Sequence, residues 1–144
     1  MSTLSMFSVK DDPKRIMDYI CDENKTSVVY TKKDRGPRNF SYLRIAYSNA
    51  HKCIPSHAAD QFMLVRERFG KTDGSKALHM ILGFGNSLQP FKAMLIAKKF
   101  IELTLGKDHQ AVYAVHSDVE NTHVHMVFNS ISFRDGSRLR LSIE

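Results

Sequence analysis

The chain has no apolar run approaching the ~20 residues that span a bilayer, so no transmembrane helix is predicted in its 144 residues. It also has little cysteine. Its two, Cys21 and Cys53, are too far apart in sequence for a metal-binding pair. They make a disulfide framework an unsuitable reading and are expected as partly buried, small apolar groups in a reducing compartment. The opening MSTLSMFSVKDDPKR lacks the basic-then-apolar pattern of a secretory leader, which predicts a cytoplasmic protein without membrane insertion. Internal repeats and low-complexity tracts are missing too. Acidic residues are in deficit, with 15 Asp and Glu against 21 Lys and Arg, a formal charge of +6. That surplus favours a polyanionic partner such as nucleic acid without requiring one.

The length suits one domain over residues 1–144, large enough to bury a core. LSMFSV (4–9) reads as a strand. DDPKRIMDYIC (11–21) reads as a helix, with an Asp cap, Pro13 in the first turn, and Ile16, Tyr19 and Ile20 on one face. TSVVYT (26–31) is β-branched and reads as a strand, 32–42 as a polar loop, and YLRIAYS (42–48) as either. Residues 56–70 and 90–106 have helical spacing. In the second helix Phe91, Leu95, Ala97, Ile101 and Leu105 are expected on one side. ALHMILGF (77–84), HQAVYAVH (109–116) and THVHMVFNSISF (122–133) read as strands, RDGSR (134–138) as a turn, and LRLSI (139–143) as a final strand. The expected class is α+β, a central antiparallel sheet with helices packed on one face.

The most informative stretch is HSDVENTHVHMVFN (116–129). On a strand, alternate side chains share a face. His123, His125, Val127 and Asn129 therefore point one way, and Val124, Met126 and Phe128 the other, towards a core. If the strand ending at His116 returns through Ser117–Thr122 as a hairpin, His116 falls opposite His123, and directly opposed residues share a face. Three neutral imidazoles converging above a sheet form a site for a divalent ion with coordination positions left open. Asp118 or Glu120 is placed to orient one of them. An all-histidine site of this kind suits zinc, manganese, iron or, less readily, magnesium; magnesium or manganese is the ion expected here, with zinc as a further candidate. The competing reading is three solvated strand histidines with no ligand.

The pattern His116, Asp118, His123, His125, Asn129 resembles the metal motif of HUH endonucleases, and more narrowly the relaxases of mobilisable plasmids and integrative elements. DYICDENKT (18–26) is similar to the Tyr-Ile…Asn-x-x-Lys-Thr segment of that family, and ALHMILGF to its strand with a histidine ahead of a Ser-Phe pair, here Gly83-Phe84. The resemblance implies an HUH-type nuclease fold and metal-dependent, site-specific nicking of one DNA strand at a transfer origin. A tyrosine would become linked to the 5′ phosphate, and rejoining would follow, initiating conjugative mobilisation. It also implies single-stranded DNA, relaxosome accessory proteins and a secretion coupling protein as partners. It implies that relatives continue beyond a domain of this size, so that 1–144 would be the N-terminal catalytic part of a longer protein.

Tyr19 stands at the family's nucleophile position, with Asp118 beside it among the catalytic residues. By spacing alone Tyr19 is equally a core aromatic. Tyr113 and Tyr30 read as packing, Tyr42 and Tyr47 as residues able to stack on bases, and His51, His57 and His79 as alternative nucleophiles. Lys25, Lys32, Lys33, Arg35, Arg38 and Asn129 are the expected DNA contacts. Lys25 reads equally as the cap of a turn, and KKDRGPR (32–38) and RDGSRLR (134–140), each taken alone, read slightly better as solvated loops. A replication initiator or transposase would carry its tyrosine after the histidine motif, where this chain has none. The remaining alternatives are a DNA-binding module with an inactive or structural metal site, and a hydrolase of small molecules.

Overall fold

Strand pairing decides where the clustered histidines point. The computed structural model describes residues 3–22, 27–33, 40–85, 88–116 and 121–139, with 27–33 and 40–46 as backbone course alone. In chain order it contains β1 (Thr3–Val9), α1 (Pro13–Ile20), β2 (Ser27–Lys33), β3 (Phe40–Ala46), β4 (Ser48–His51), α2 (Ala58–Arg68), β5 (Ala77–Gly83), α3 (Pro90–Leu103), β6 (Ala111–His116) and β7 (His123–Asn129). Five strands form the central sheet in the order β1-β5-β7-β6-β4, and β2 and β3 form a separate pair. Every pairing is antiparallel. The α+β class and the antiparallel sheet are as the sequence predicts.

The helices depart from expectation, because they cover both faces of the sheet rather than one. Tyr113, Val115, Val124, Met126 and Phe128 pack with Ala93, Ala97 and Ile101 of α3. The alternate residues Val112, Ala114 and Val127 pack with Met17 and Ile20 of α1 and with Ala58 and Phe62 of α2. The histidine face is therefore the α1/α2 face. Small residues at 93 and 97 let α3 lie close to the sheet. Phe91 and Leu95 stand about 200° around the helix from Ala93 and Ala97 and are 61% and 53% exposed, contrary to the predicted apolar side.

Asp12 accepts a hydrogen bond from the Lys14 amide at 3.0 Å and Pro13 opens α1, as the capping pattern requires. Pro13, Met17 and Ile20 form its buried stripe, and Tyr19 falls beside that stripe. The stretch read as a loop over 32–42 is strand at both ends, since β2 runs to Lys33 and β3 begins at Phe40. The ambiguous 42–48 resolves into the end of β3 and the start of β4. β7 stops at Asn129, short of the predicted 133. The chain then folds back so that Ile131 bridges Arg138, with Gly136 at φ +72° against the Phe69 ring. The predicted last strand falls largely on 140–143, outside the described residues.

Candidate active site

β6 and β7 form the hairpin that the spacing implies, with His116 directly opposite His123. His125 follows two residues later on the same face, and the His116 and His125 rings lie 4.0 Å apart between centroids. β5 adds His79, which the sequence offered as an alternative nucleophile and not as a partner of His125. Its register sets Ile81 opposite His125 and Gly83 opposite His123, which puts His79 on the same face. His79 Nε2 is 2.9 Å from His125 Nδ1. Burial, and then proximity to His116, holds His79 below the ordinary histidine range, so it is neutral near pH 7.

α1 delivers Tyr19 to this cluster. Its ring is half exposed and meets His116 and His125 edge-on, at 6.1 and 6.4 Å between centroids. The next residue anchors the helix, because His116 Nε2–H donates to the Ile20 carbonyl at 2.8 Å. Beside Tyr19 lies an open hollow lined by Lys10, Asp11, Arg15 and Ile16. Sequence reasoning passed over Lys10 and Arg15 because they belong to the cap and first turn of α1 rather than to a basic run.

The donor set suits a divalent ion by its chemistry, neutral imidazole nitrogens. It consists of three imidazoles on two paired strands and one face. At Gly83 a Cβ would come within 3.3 Å of His123 Cδ2, so the missing side chain makes room for the His123 ring over β5. Among the described residues, no three His, Cys, Asp or Glu side chains already close on one point as ligands. His116 engages Ile20 O through Nε2, and His125 engages His79 through Nδ1.

Other expected residues are distributed differently. Asp118, Glu120, Lys25, Arg35 and Arg38 lie outside the described residues, as do the side chains of Lys32, Lys33, Tyr30 and Tyr42. Asn129 is corrected from a DNA contact to a structural tie. It is fully buried, its amide nitrogen donates to Phe62 O at 3.2 Å and Gln110 Oε1 at 2.9 Å, and its oxygen accepts from Ile131 N at 3.2 Å. Tyr47 is likewise corrected, being buried in the α3-side core with Tyr113 and unable to stack on bases. His51 Nε2–H donates to Gly106 O at 2.6 Å, and His57 sits at the N-cap position of α2 without a side-chain capping bond. Cys21 and Cys53 are half buried against the α1/α2 core, and desolvation pushes both thiols up to about 11. They are protonated, weak nucleophiles at neutral pH.

Residues 19–144 match the family described as relaxase, MobA/VirD2-like, nuclease domain. Two relatives from Staphylococcus aureus, both called Protein rlx, are 28% and 25% identical over 114 residues. Each alignment covers 78% of this chain, but 34% and 36% of the respective relative. The chain thus spans about a third of the length of the curated relatives it matches.

Proposed function

Because the chain belongs to the MobA/VirD2-like relaxase nuclease-domain family, we propose that it nicks and rejoins one DNA strand at a transfer origin by tyrosine transesterification. The observation that carries this reading is the approach of Tyr19 to within 6.1 and 6.4 Å of the His116 and His125 rings. A nucleophile and a candidate phosphate-polarising centre share one face of the sheet. The Tyr19 hydroxyl oxygen attacks the scissile phosphorus. As that bond forms, the bond from phosphorus to the 3′ oxygen breaks, the phenolic proton passes to solvent, and the departing 3′ oxygen takes one up. The 5′ phosphate stays on Tyr19, and attack by a 3′ hydroxyl reverses the step.

His116, His123 and His125 would hold a divalent ion, magnesium or manganese first and zinc second. When bound, it polarises a phosphoryl oxygen and offsets the charge that develops there. His116 would serve through Nδ1, keeping its Nε2–H on Ile20 O. His125 would serve through Nε2, with Nδ1 held by His79. Asp118 would take the role of orienting one of these rings. Lys25, Lys32, Lys33, Arg35 and Arg38 contact backbone phosphates, and Lys10 and Arg15 border the hollow next to Tyr19.

In this reading residues 1–144 act as one catalytic domain of a longer cytoplasmic protein. Accessory proteins at the origin and a secretion coupling protein are partners of the whole. No described helix is long and apolar enough to cross a membrane.

The test incubates the chain with labelled single-stranded oligonucleotides from its own element's transfer region and manganese, then seeks a protein–DNA adduct on a denaturing gel. The expected adduct is lost in Tyr19→Phe and in His123→Ala. An adduct that survives Tyr19→Phe moves the nucleophile elsewhere. Tight binding without any cut favours a DNA-binding module.

A further inference from the structure

Resting on the proposed metal centre, we infer that His79 is a positioning residue that fixes the ring orientation and tautomer of His125. The two rings lie 5.2 Å apart at 28° to one another, joined by the 2.9 Å contact between His79 Nε2 and His125 Nδ1. Both residues are 8% exposed, so water competes little for either nitrogen. Phe7 of the edge strand β1 lies directly opposite His79 and sets its ring against the imidazole at 5.9 Å. That restrains rotation of His79 from the side away from His125.

One partner in a bond between two ring nitrogens donates and the other accepts. If His125 offers Nε2 to an ion, its proton sits on Nδ1 and is donated to His79 Nε2. His79 then carries its own proton on Nδ1. A ligating histidine ordinarily donates its second N–H to a carboxylate, a carbonyl or water. A neutral imidazole orients His125 without adding negative charge, so a bound ion would be neutralised less than beside a carboxylate. His79 is not itself a fourth ligand in this arrangement, because the nitrogen nearest the cluster is the one facing His125.

Calorimetric titration of the whole chain with manganese(II) alone tests this assignment. His79→Phe, which keeps a ring but removes the acceptor, is expected to weaken manganese affinity about 10–100-fold. His79→Gln, whose amide oxygen can accept from Nδ1–H, is expected to recover most of it. Nitrogen-15 NMR of the unliganded wild type is expected to find the His125 proton on Nδ1, a readout that depends on neither a variant nor the ion. The inference is overturned if that proton sits on Nε2. It is also overturned if His79→Phe binds manganese like wild type while His116→Ala, His123→Ala and His125→Ala each weaken binding. If none of those three alanine variants weakens binding, the metal centre itself fails and the role of His79 goes with it.

Discussion

His109 shows how a buried imidazole outside the catalytic cluster ties stability to pH. It is almost wholly buried, and its Nδ1–H donates to the Asn129 carbonyl at 2.8 Å. Burial lowers its pKa below 6.5, and the Asn129 bond and the nearby Asp108 and Asp135 only partly oppose this. The unfolded chain therefore takes up the proton first as pH falls. Stability is complete above about 6.5 and is lost as pH drops below it towards the folded value. Burial gives His79 the same sign. Urea midpoints at pH 7.5 and 5.5 should fall for the wild type and fall less for His109→Gln. Equal drops would remove His109 as a cause. At this scale much was legible: alternation placed His123 with His125, and a short hairpin placed His116 opposite His123. His79 was not legible as their neighbour, because its position depends on the pairing of β5 with β7, a contact between residues 46 apart in sequence. Nor did a polar Asn129 on the histidine face disclose that α2 covers it.

Among the helices, α2 carries a local conflict. Arg66 is 1% exposed, yet its Nε and Nη1 find no hydrogen-bond partner among the described residues. Nη2 reaches only the Met63 sulfur, at 3.3 Å. Leaving buried donors unpaired costs about 1–3 kcal/mol, and the charge adds desolvation that Asp12 offsets only in part. Arg66→Met preserves an unbranched apolar stem and should raise unfolding stability by about 1 kcal/mol. A fall in the urea midpoint would show that the charge holds the helix in place. Helix limits were readable from Asp12, Pro13 and Pro90. Helix facing was not, since Phe91 and Leu95 obey the same periodicity as the stripe that packs. The choice of Ala93 and Ala97 follows from how closely α3 must approach the sheet.

For the molecule as a whole, the net charge of +6 should appear as salt-sensitive binding of single-stranded DNA. Each phosphate contact contributes about 0.7 to the slope of log affinity against log salt, so five contacts from Lys25, Lys32, Lys33, Arg35 and Arg38 predict a slope of about −3.5. Replacing Lys32 and Lys33 by alanine should flatten it by about 1.4. Fluorescence anisotropy across a salt series measures both, and a slope near zero would argue against a nucleic-acid partner. The bond from His116 to the Ile20 carbonyl has a consequence at this scale. It joins two parts of the chain 96 residues apart, one residue from Tyr19 and within the histidine cluster. Helix and strand are thereby pinned like the two arms of a caliper. Any shift of α1 on the sheet would draw the imidazole with it, so the gap between phenol and histidines is governed by one short strut rather than by the slack of everything between.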